Sequence, residues 1–458
     1  MKTAWEKYTG NKVKPVMEFS EAYKEFLSAS KTEREAVRNS IALAKKAGFK
    51  DLTTVKKLKA NDKVYYNNRG KSLVLFVIGK DDIEKGMNIL GAHIDSPRLD
   101  LKQNPLYEEK GLVLLDTHYY GGIKKYQWVA QPMALHGVVV KKNGEVVDVV
   151  IGEKESDPVV GISDLLIHLS GEQMQKSGAK VVEGEDLNVL FGSIPAPETK
   201  KDKKDLVKKN ILDLLKKQYG IEEDDFVSAE LEVVPASKAR DYGLDRSMVM
   251  GYGHDDRICA YTSLIALLEM ENPKRTSCCI LSDKEEVGSQ GNTGIHSRAF
   301  ENVIAEVMNK KGEYSELALR HCLSNSKMLS SDVSAAYDPN YPSASSPNNN
   351  NADFGRGIVF NKYTGPRGKS ASNDANPEFI AQIRKVLDEN DVAFQTSELG
   401  KVDQGGGGTI AYILANLNIE VLDAGIALHN MHACYEVASK VDIYEAYRAY
   451  KVFLTAIK

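Results

Sequence analysis

Five clusters of histidine and carboxylate residues stand where short apolar runs of the sequence end. They are GAHIDSPRL (91–99), GHDDR (253–257), DKEEVGS (283–289), SSDVS (330–334) and HNMHACYE (429–436). Open α/β sheets usually bind ligands beyond the carboxyl ends of their strands, so the clusters could form one site. Mixed His, Asp and Glu ligands without cysteine favour a catalytic zinc, cobalt or manganese centre over a structural zinc. Two metals that share a bridging carboxylate need about five side chains, and the clusters supply that number.

Two of the clusters predict roles for neighbouring side chains. Asp95 can accept the ring N–H that His93 does not offer to a metal, which fixes the tautomer of the imidazole. In the pair Glu285–Glu286, one carboxylate could bind a metal while the other acts on the metal-bound water. His429 and His432 leave the ligand histidine open, because two nearby histidines can also share one helix face without any metal.

The elements that would position these clusters alternate between strands and helices. Apolar runs bounded by glycine, such as KSLVLFVIG (71–79) and MNILGAHIDS (87–96), predict buried strands. Residues 18–48 and the stretches 255–270, 297–310, 378–391 and 443–458 have the apolar spacing of helices, and strands are predicted between the later ones. This alternation predicts an α/β fold in which helices cover a sheet.

The middle of the chain has a different pattern. HGVVVKKNGEVVDVVIG (136–152) predicts a β-hairpin around Lys-Asn-Gly, and 223–237 predicts another strand. Helices are predicted at 164–175 and 203–220. The simplest arrangement is a catalytic α/β domain of residues 1–98 and 239–458, interrupted by a mostly-β domain at 99–238.

The glycine-rich run VDQGGGGT (402–409) resembles a phosphate loop at first sight. It lacks the Lys-Ser/Thr that such a loop needs, and no G-x-G-x-x-G follows a clean strand. Consecutive glycines also let backbone approach a substrate or a neighbouring element closely. We therefore predict a wall of the substrate pocket, with a purely structural turn as the alternative.

Composition limits the class of protein. The 458 residues are 42% hydrophobic and 27% charged, which is typical of a globular protein and excludes a fully disordered chain. A net charge of -4 predicts no general attraction to nucleic acid or anionic membranes. The N-terminus lacks the apolar core of a signal peptide, and five cysteines without CxxC spacing are typical of reduced thiols. We expect a soluble, cytoplasmic enzyme with no nucleic-acid or membrane partner.

In their order and spacing, GAHIDSPRL, DD-R, EEVGS, the SSDVS…DPNYP run and NMHACYE resemble the aspartyl aminopeptidase/vacuolar aminopeptidase I family of dinuclear zinc aminopeptidases. The likeness covers nearly the whole chain. It implies a mixed-sheet zinc-exopeptidase catalytic domain with an inserted dimerisation domain, assembled with identical copies as a tetrahedral dodecamer. It also implies peptide substrates with a free N-terminus and two divalent metal ions per subunit, with zinc favoured and cobalt or manganese as alternatives.

Carried over position by position, the resemblance implies five metal ligands. His93 and Asp332 would hold one metal, and Glu286 and His432 the other. Asp255 would bridge the two.

The resemblance also implies two catalytic residues. Glu285 would be the general base that activates the metal-bridged water. His168, in DLLIHL, would reach from the inserted domain into the active site of a neighbouring subunit, whereas without the family it would be interpreted as an ordinary buried or surface histidine. His432 is preferred to His429 as the ligand because the family histidine follows a methionine, as Met431 does here.

The preferred N-terminal side chain is predicted from a departure within the family. Acid-specific members have His-Pro-Asn-Tyr where this chain reads DPNY (338–341), and an acidic group there should repel an aspartyl or glutamyl substrate. Neutral or hydrophobic N-terminal residues are therefore predicted. An acidic preference is the alternative, because Lys362, Arg367 and Lys369 are candidate cations.

Two further hypotheses share the same residues. A dinuclear metal carboxypeptidase or deacylase would need a guanidinium group for the substrate carboxylate, for which Arg98 and Arg257 are candidates. An inactive scaffold or peptide-binding shell would be indicated by loss of Glu285 or of a metal ligand, and all six positions are intact.

Overall fold

The chain divides into two compact units. The structure, a computed structural model, describes residues 3–198, 204–348 and 350–457. The first unit contains the described residues up to 96, residues 239–431 and those from 435 onward, and the second contains residues 97–238 and 432–434. These units differ from the predicted domains at residues 97–98 and at the short segment 432–434, which groups with the second unit.

Twenty strands are present in the described residues. In chain order they are β1 Lys50–Asp51, β2 Lys63–Asn68, β3 Ser72–Val77, β4 Met87–His93, β5 Arg98–Glu109, β6 Leu112–Tyr120, β7 Met133–Val140, β8 Val146–Ile151, β9 Val189–Gly192, β10 Ala229–Pro235, β11 Arg240–Tyr242, β12 Met248–Gly251, β13 Thr276–Ser282, β14 Lys327–Ser330, β15 Ser334–Ala335, β16 Ile358–Asn361, β17 Phe394–Thr396, β18 Glu420–Gly425, β19 Ala427–His429 and β20 Glu436–Ser439.

Nine α-helices accompany these strands in the same described ranges. They are α1 Val13–Ala29, α2 Glu33–Lys46, α3 Leu206–Tyr219, α4 His254–Leu268, α5 Ala299–Lys311, α6 Glu316–Asn325, α7 Pro377–Glu389, α8 Ala411–Ala415 and α9 Lys440–Ala456. None of the helices in the described part of the chain has both the length and the apolar character needed to cross a membrane.

The largest sheet of the first unit is mixed, as predicted. Its order is β1-β2-β3-β13-β4-β14-β18-β16-β17. The four central strands β13, β4, β14 and β18 run parallel to one another, while β3 runs antiparallel to β13 and β16 runs antiparallel to β18. The carboxyl ends of the four parallel strands therefore lie at one edge of the sheet.

Two hydrophobic cores cover the two faces of this sheet. Along β3, Leu73 and Leu75 belong to one core, whereas Val74 and Phe76 belong to the other. Successive side chains of a strand point to opposite faces, so a strand that is covered on both faces needs apolar residues at every position. This is why the runs at 71–79 and 87–96 lack the alternation of a half-exposed strand.

The remaining strands form two smaller sheets. In the first unit the order is β11-β12-β20-β19-β15, and in the second unit it is β8-β7-β10-β5-β6-β9. All pairs in the sheet of the second unit are antiparallel. The predicted hairpin is confirmed, because β7 and β8 pair across a turn in which Gly144 has a φ of 86°.

One helix prediction is wrong, and two helices of the described residues were not predicted. The prediction for 164–175 is wrong, since this segment contains only two short 3-10 turns, Ile167–Leu169 and Gln173–Gln175. Its apolar residues Leu165, Leu166, Ile167 and Leu169 are exposed and do not pack as a buried helix face, and Gly171 disfavours a helix. Helices α6 and α8 were not predicted, although Ser315 caps α6 by accepting a hydrogen bond from the N–H of Ala318.

The other predicted helices are present. Residues 203–220 contain α3, although Lys203 lies outside the described residues. The closing helix 443–458 corresponds to α9, and Lys458 also lies outside them. The first sixty residues contain α1 and α2, as their apolar spacing predicted.

Candidate active site

His93 is the last residue of β4 and is almost completely buried. Its Nδ1 lies 3.0 Å from the backbone carbonyl oxygen of Asp95 and 3.3 Å from the Asp95 carboxylate. Its Nε2 lies 3.1 Å from Oδ1 of Asp255 and 3.8 Å from Oδ1 of Asp332. A proton on Nδ1 can be donated to Asp95, which leaves the lone pair on Nε2, the nitrogen that faces the two carboxylates.

Two groups of possible metal ligands meet at His93. The ligand atoms of His93, Asp255 and Glu286 lie within 4.8 Å of one another, and so do those of His93, Asp256 and Asp332. One imidazole and four carboxylates form a donor set that suits divalent zinc, cobalt or manganese. These five residues, here called the His93 cluster, therefore fit a metal centre.

The electrostatics of the His93 cluster support the same conclusion. Burial alone would lower the pKa of His93, but hydrogen bonds to Asp255, Asp332 and Asp95 raise it well above its usual value. Burial and the neighbouring charges of Asp332 and Asp255 raise the pKa of Asp256 well above its usual range. Several carboxyl groups in a place shielded from water repel one another, and divalent cations would relieve that repulsion.

Asp256 is a member of the cluster that the sequence reasoning missed. Asp255 and Asp256 occupy the start of α4, where the backbone departs from helical values. This departure lets two consecutive carboxyl groups both approach His93. The signal was present in the DD pair of GHDDR, but only one of the two acids was assigned a role.

Glu285 and Glu286 lie in a 3-10 turn that follows β13. The carboxylate of Asp95 accepts the backbone N–H of Glu285 at 3.1 Å and that of Glu286 at 3.2 Å. Asp95 thus holds the turn as well as the ring of His93. Burial raises the pKa of Glu285 to about 8; His93 opposes the shift, and the neighbouring carboxylates reinforce it. A carboxyl group with a pKa near neutrality can both accept and donate a proton.

Asp332 is the second residue after the end of β14, at the same edge of the sheet. One of its carboxylate oxygens accepts the backbone N–H of Val333 at 2.7 Å. His93 thus ends a central parallel strand, and Glu285, Glu286 and Asp332 follow two others, as predicted from the ends of the apolar runs.

His432 is not part of either ligand group that meets at His93 among the described residues. Within the second unit its Nδ1 lies 2.7 Å from the carbonyl oxygen of Gly122. With the proton on Nδ1, the lone pair is on Nε2, which is the nitrogen that a metal would need. His429, the alternative, has its Nε2 2.8 Å from the carbonyl oxygen of Tyr337 and its ring centroid 4.3 Å from that of Phe354.

His168 lies in the second unit, in the exposed turn Ile167–Leu169. The side chains beside it are apolar and yet exposed, with 56% for Leu166, 68% for Ile167 and 70% for Leu169. Contiguous exposed apolar residues usually mark an interaction surface. The structure places His168 in such a segment rather than in a core or on a helix.

The guanidinium groups considered for a carboxypeptidase have structural partners. Arg257 is buried and donates to the backbone carbonyl oxygens of Ile94 and Lys31 at 3.1 and 3.0 Å. Arg98 is also buried, and its Nε lies 2.8 Å from Asp100. Neither arrangement favours a clamp for the carboxylate of a substrate.

Comparison with known families agrees with the site. Residues 26–454 match the family described as Aminopeptidase I zinc metalloprotease (M18). The chain belongs to the M18 aminopeptidase family. The resemblance found in the sequence is therefore confirmed, and the protein is a metallo-aminopeptidase, a hydrolase of the zinc metalloprotease class.

Relatives in the M18 family match over the full length. A probable M18 family aminopeptidase 1 from Clostridium acetobutylicum is 59% identical over 457 residues, which cover 99% of this chain and 98% of the relative. The crystal structure of aminopeptidase I from the same organism is 54% identical, has a TM-score of 0.93 and matches over 99% of both chains. An M18 aminopeptidase from Thermotoga maritima is 43% identical, with a TM-score of 0.95 over 100% of this chain and 99% of that chain. The predicted α/β fold class is confirmed by these structures.

A more distant solved structure is an oligomeric assembly. The mApe1 dodecamer of S. cerevisiae is 21% identical, and the match covers 97% of each chain with a TM-score of 0.75. At this identity the likeness establishes the shared fold alone.

Proposed function

We propose that this M18 aminopeptidase removes neutral or hydrophobic N-terminal residues from peptides that have a free N-terminus. The observation that carries the proposal is the His93 cluster, in which two ligand groups share one buried histidine. The carboxylates of the cluster also attract the positively charged α-amino group of a peptide. That attraction favours cleavage at the chain end over cleavage inside a peptide.

Two divalent ions per subunit are the proposed cofactors, with zinc favoured. His93 and Asp332 would hold one ion, and Glu286 and His432 the other, with Asp255 shared between them. Asp255 suits the shared position because it lies in one ligand group with His93, proposed for the first ion, and Glu286, proposed for the second. When bound, the ions supply polarisation of the scissile carbonyl group and a lower pKa for a nearby water.

Asp256 is the one acid of the cluster without a ligand role in this proposal. Burial and the neighbouring carboxylates raise its pKa well above the usual range, which favours its protonated form. A protonated carboxyl group is a poor metal ligand, because metal ligands must be deprotonated.

Glu285 is the proposed general base. It takes a proton from the attacking water and passes it to the amine that leaves, so that the peptide bond breaks without a free amide anion. The two backbone hydrogen bonds to Asp95 hold the turn of Glu285 in place. Its Oε2 lies 3.9 Å from Nε2 of His93, which puts the base next to the ligands.

The preference for neutral side chains is supported by the pairing of two candidate cations. Both Lys362 and Lys369 form ion pairs with Asp374. The Lys369 ammonium also lies over the ring of Tyr363, 3.9 Å from its centroid. Two of the three cations that could attract an acidic substrate thus have a counter-charge, which leaves Arg367 as the third.

Assembly with identical copies is proposed to complete the site. The apolar surface around His168 would be covered by another subunit, and His168 would enter that subunit's active site to bind substrate or polarise the scissile carbonyl. A tetrahedral dodecamer is the proposed assembly, and the cytoplasm is the proposed location.

The test is hydrolysis of a panel of aminoacyl-anilides and one N-acetylated control by metal-loaded protein, with and without a chelator. We expect chelator-sensitive cleavage of the free-amine substrates, with leucyl-anilide faster than aspartyl-anilide. Faster cleavage of aspartyl-anilide would contradict the side-chain preference. Cleavage of the acetylated control would favour a deacylase, and silence across the panel would favour an inactive scaffold.

A further inference from the structure

The backbone of Asp255 departs from the helix in which it lies. Asp255 is the second residue of α4 and has a φ of -78° and a ψ of 105°, whereas an α-helix has a ψ of about -42°. The first four N–H groups of a helix have no partner within that helix. An extended ψ also turns the carbonyl group of Asp255 away from the helix axis. Both peptide groups of Asp255 therefore need partners outside α4.

Two buried side chains supply these partners. Oε2 of Glu436 accepts the N–H of Asp255 at 3.1 Å, and the hydroxyl of Ser96 donates to the carbonyl oxygen of Asp255. Asp255 is 3% exposed, and Glu436 and Ser96 are each 1% exposed. At such a buried position a peptide group without a hydrogen bond is unfavourable, because water does not replace the missing partner. The two side chains thus hold the chain on both sides of the Asp255 Cα.

The pairing of β20 with β12 explains how Glu436 reaches Asp255. Glu436, the first residue of β20, is the register partner of Gly251, the last residue of β12. Only Tyr252 and Gly253 separate Gly251 from α4. The sheet therefore carries the carboxylate of Glu436 to the start of the helix, where Asp255 lies.

The approach of Ser96 depends on the same short connection. Ser96 lies three residues beyond His93, the last residue of β4. Gly253 has a φ of 78°, and a Cβ on it would lie 1.9 Å from Nη1 of Arg257 and 3.2 Å from Oγ of Ser96. Glycine at position 253 thus leaves room for the hydroxyl of Ser96 and for the buried guanidinium beside it.

Neither Ser96 nor Glu436 has a part in the proposed mechanism. Both belong to the clusters singled out in the sequence, GAHIDSPRL and HNMHACYE. Neither belongs to the two ligand groups that meet at His93 in the described residues. Their hydrogen bonds converge instead on Asp255, whose carboxylate is the one proposed to be shared by both ions. The backbone of a residue sets the direction of its Cα–Cβ bond, so these bonds determine where that carboxylate points.

We propose that Ser96 and Glu436 are positioning residues that fix the backbone of Asp255, and through it the shared carboxylate, before any metal binds. The inference rests on the proposed function and adds to it two residues that act through Asp255. A ligand that is already held in place loses less conformational freedom when the metal binds, so the metal is bound more tightly.

The first test measures the zinc affinity of the metal-free protein by competition with a chromophoric chelator. Glu436→Met removes the acceptor with little change in size, and we expect the apparent Kd for zinc to rise by about 10–100-fold, as is typical when a metal ligand loses the group that orients it. Glu436→Gln keeps an acceptor oxygen and should restore most of the affinity. An unchanged Kd in Glu436→Met, or an equally weak one in Glu436→Gln, would overturn the proposal.

Ser96→Ala tests the second contact. We expect the apparent Kd for zinc to rise in this variant as well. Ser20→Ala is the matched control, because the hydroxyl of Ser20 is also buried and donates to a backbone carbonyl oxygen, that of Val16 at 2.8 Å in α1. Equal zinc affinities in Ser96→Ala and Ser20→Ala would contradict the role of Ser96.

Loss of a buried glutamate can also weaken metal binding by loosening the fold in general. Glu445 controls for this effect, since it is completely buried and accepts the backbone N–H of Ala393 at 2.5 Å. We expect Glu445→Met to lower the melting temperature without changing the zinc Kd measured well below it. A lower melting temperature in Glu436→Met with an unchanged Kd would show a structural role only.

A double-mutant cycle tests whether Glu436 acts through Asp255. Asp255→Ala removes the carboxylate and keeps the backbone N–H that Glu436 accepts. If Glu436 only orients this carboxylate, Glu436→Met should weaken zinc binding no further when it is added to Asp255→Ala. A further loss as large as that in the wild-type background would assign Glu436 an independent role and contradict the inference.

Failure of the proposed function gives a different result from failure of this inference. If the wild-type protein binds no zinc, or cleaves no free-amine substrate when loaded with it, the proposed function fails before any variant is compared. If the wild-type protein is active and the variants of Ser96 and Glu436 bind zinc with the wild-type Kd, the inference alone is wrong.

Discussion

The His93 cluster and the segment around His168 each place a group in an unfavourable environment, but the groups differ. The cluster buries carboxyl groups, and the segment exposes apolar side chains. The cluster removes several carboxyl groups from water, with one imidazole between them. The segment does the opposite and leaves Leu166, Ile167 and Leu169 in contact with water. Buried charges require counter-charges, and exposed apolar groups require cover. The type of group in each region therefore indicates what would stabilise it. Buried carboxyl groups favour the binding of cations, and exposed apolar side chains favour contact with another protein surface.

The largest effect is expected at Glu285, beside the His93 cluster. Glu285→Gln keeps the size of the side chain but cannot take a proton, so kcat/KM should fall by about 10²–10⁴-fold. Bound metal, measured by elemental analysis, should not change. Glu285→Asp is the matched control, since it keeps a carboxylate and should retain part of the activity. Loss of metal in Glu285→Gln would instead assign Glu285 a ligand role.

The pH dependence of the wild-type enzyme extends this prediction. Glu285 acts as a base when it is deprotonated, so kcat/KM should rise as the pH rises through its pKa. Burial raises that pKa to about 8, and cations beside it lower it, so the acid limb should lie below pH 8 in the metal-loaded enzyme. This limb should be absent from the residual activity of Glu285→Gln.

A smaller effect is expected in the exposed apolar segment. His168→Ala should lower kcat by about 10²-fold, which is typical for loss of one donor to a developing oxyanion. Assembly size by sedimentation and bound metal should not change. His118→Ala is the matched control, because His118 is also an exposed histidine of the second unit. Unchanged turnover in His168→Ala would contradict its role.

Co-assembly of two variants with low activity tests whether His168 acts in a neighbouring subunit. If His168 acts in a neighbouring subunit, co-assembly of His168→Ala with Glu285→Gln should restore activity at sites that receive both intact residues. Action within one subunit predicts no restored activity. The experiment decides whether the partner of the exposed segment is another copy of the chain.

The smallest effect is expected at Asp442, a buried carboxyl group that accepts hydrogen bonds from backbone N–H groups. Asp442 accepts the N–H groups of Gly355 and Gly357, each at 2.7 Å, yet burial raises its pKa to about 7. The folded chain thus holds this proton more tightly than the unfolded chain, whose aspartate has a pKa of about 3.9. Its contribution to stability therefore decreases as the pH rises from about 4 to 7.

Denaturant unfolding at pH 5 and pH 8 measures this contribution. The stability of the wild-type protein should fall between these two values by more than that of Asp442→Asn, with a difference of a few kcal/mol. Added metal should not alter this difference, whereas it should stabilise a protein with an intact His93 cluster. An equal pH dependence in both proteins would show that Asp442 is ionised in both states.

Much of the fold was predictable because its signals are local. Apolar runs between glycines identified β3 and β4, and the Lys-Asn-Gly turn identified the β7–β8 hairpin. The structure of segment 164–175 was not predictable in this way. Its apolar residues are exposed, whereas the prediction assumes that apolar residues face the core of their own chain. Helix α6 was missed although Ser315 caps it and its buried residues Ala318, Leu319, Cys322 and Leu323 recur three and four apart.

The candidate site was predictable to the extent that strand ends reveal it. His93, Glu286 and Asp332 were expected to meet because each follows a buried strand. The contribution of Asp256 depends on a local departure from helical backbone at the start of α4, which residue types do not encode. The hydrogen bond from Thr409 to Asp423 joins a loop to strand β18 through side chains, a contact that sequence spacing does not reveal.

The pairing of the central strands has a consequence for how the enzyme comes into being. In the large sheet, Leu90 is the register partner of both Cys279 and Leu329, residues that are far from it along the chain. Contacts of such long sequence separation form slowly, because the entropy of loop closure is lost before the contacts repay it. A chain that has been synthesised only to residue 300 carries His93 without Asp332. The proposed metal site can therefore form only after most of the chain has been synthesised.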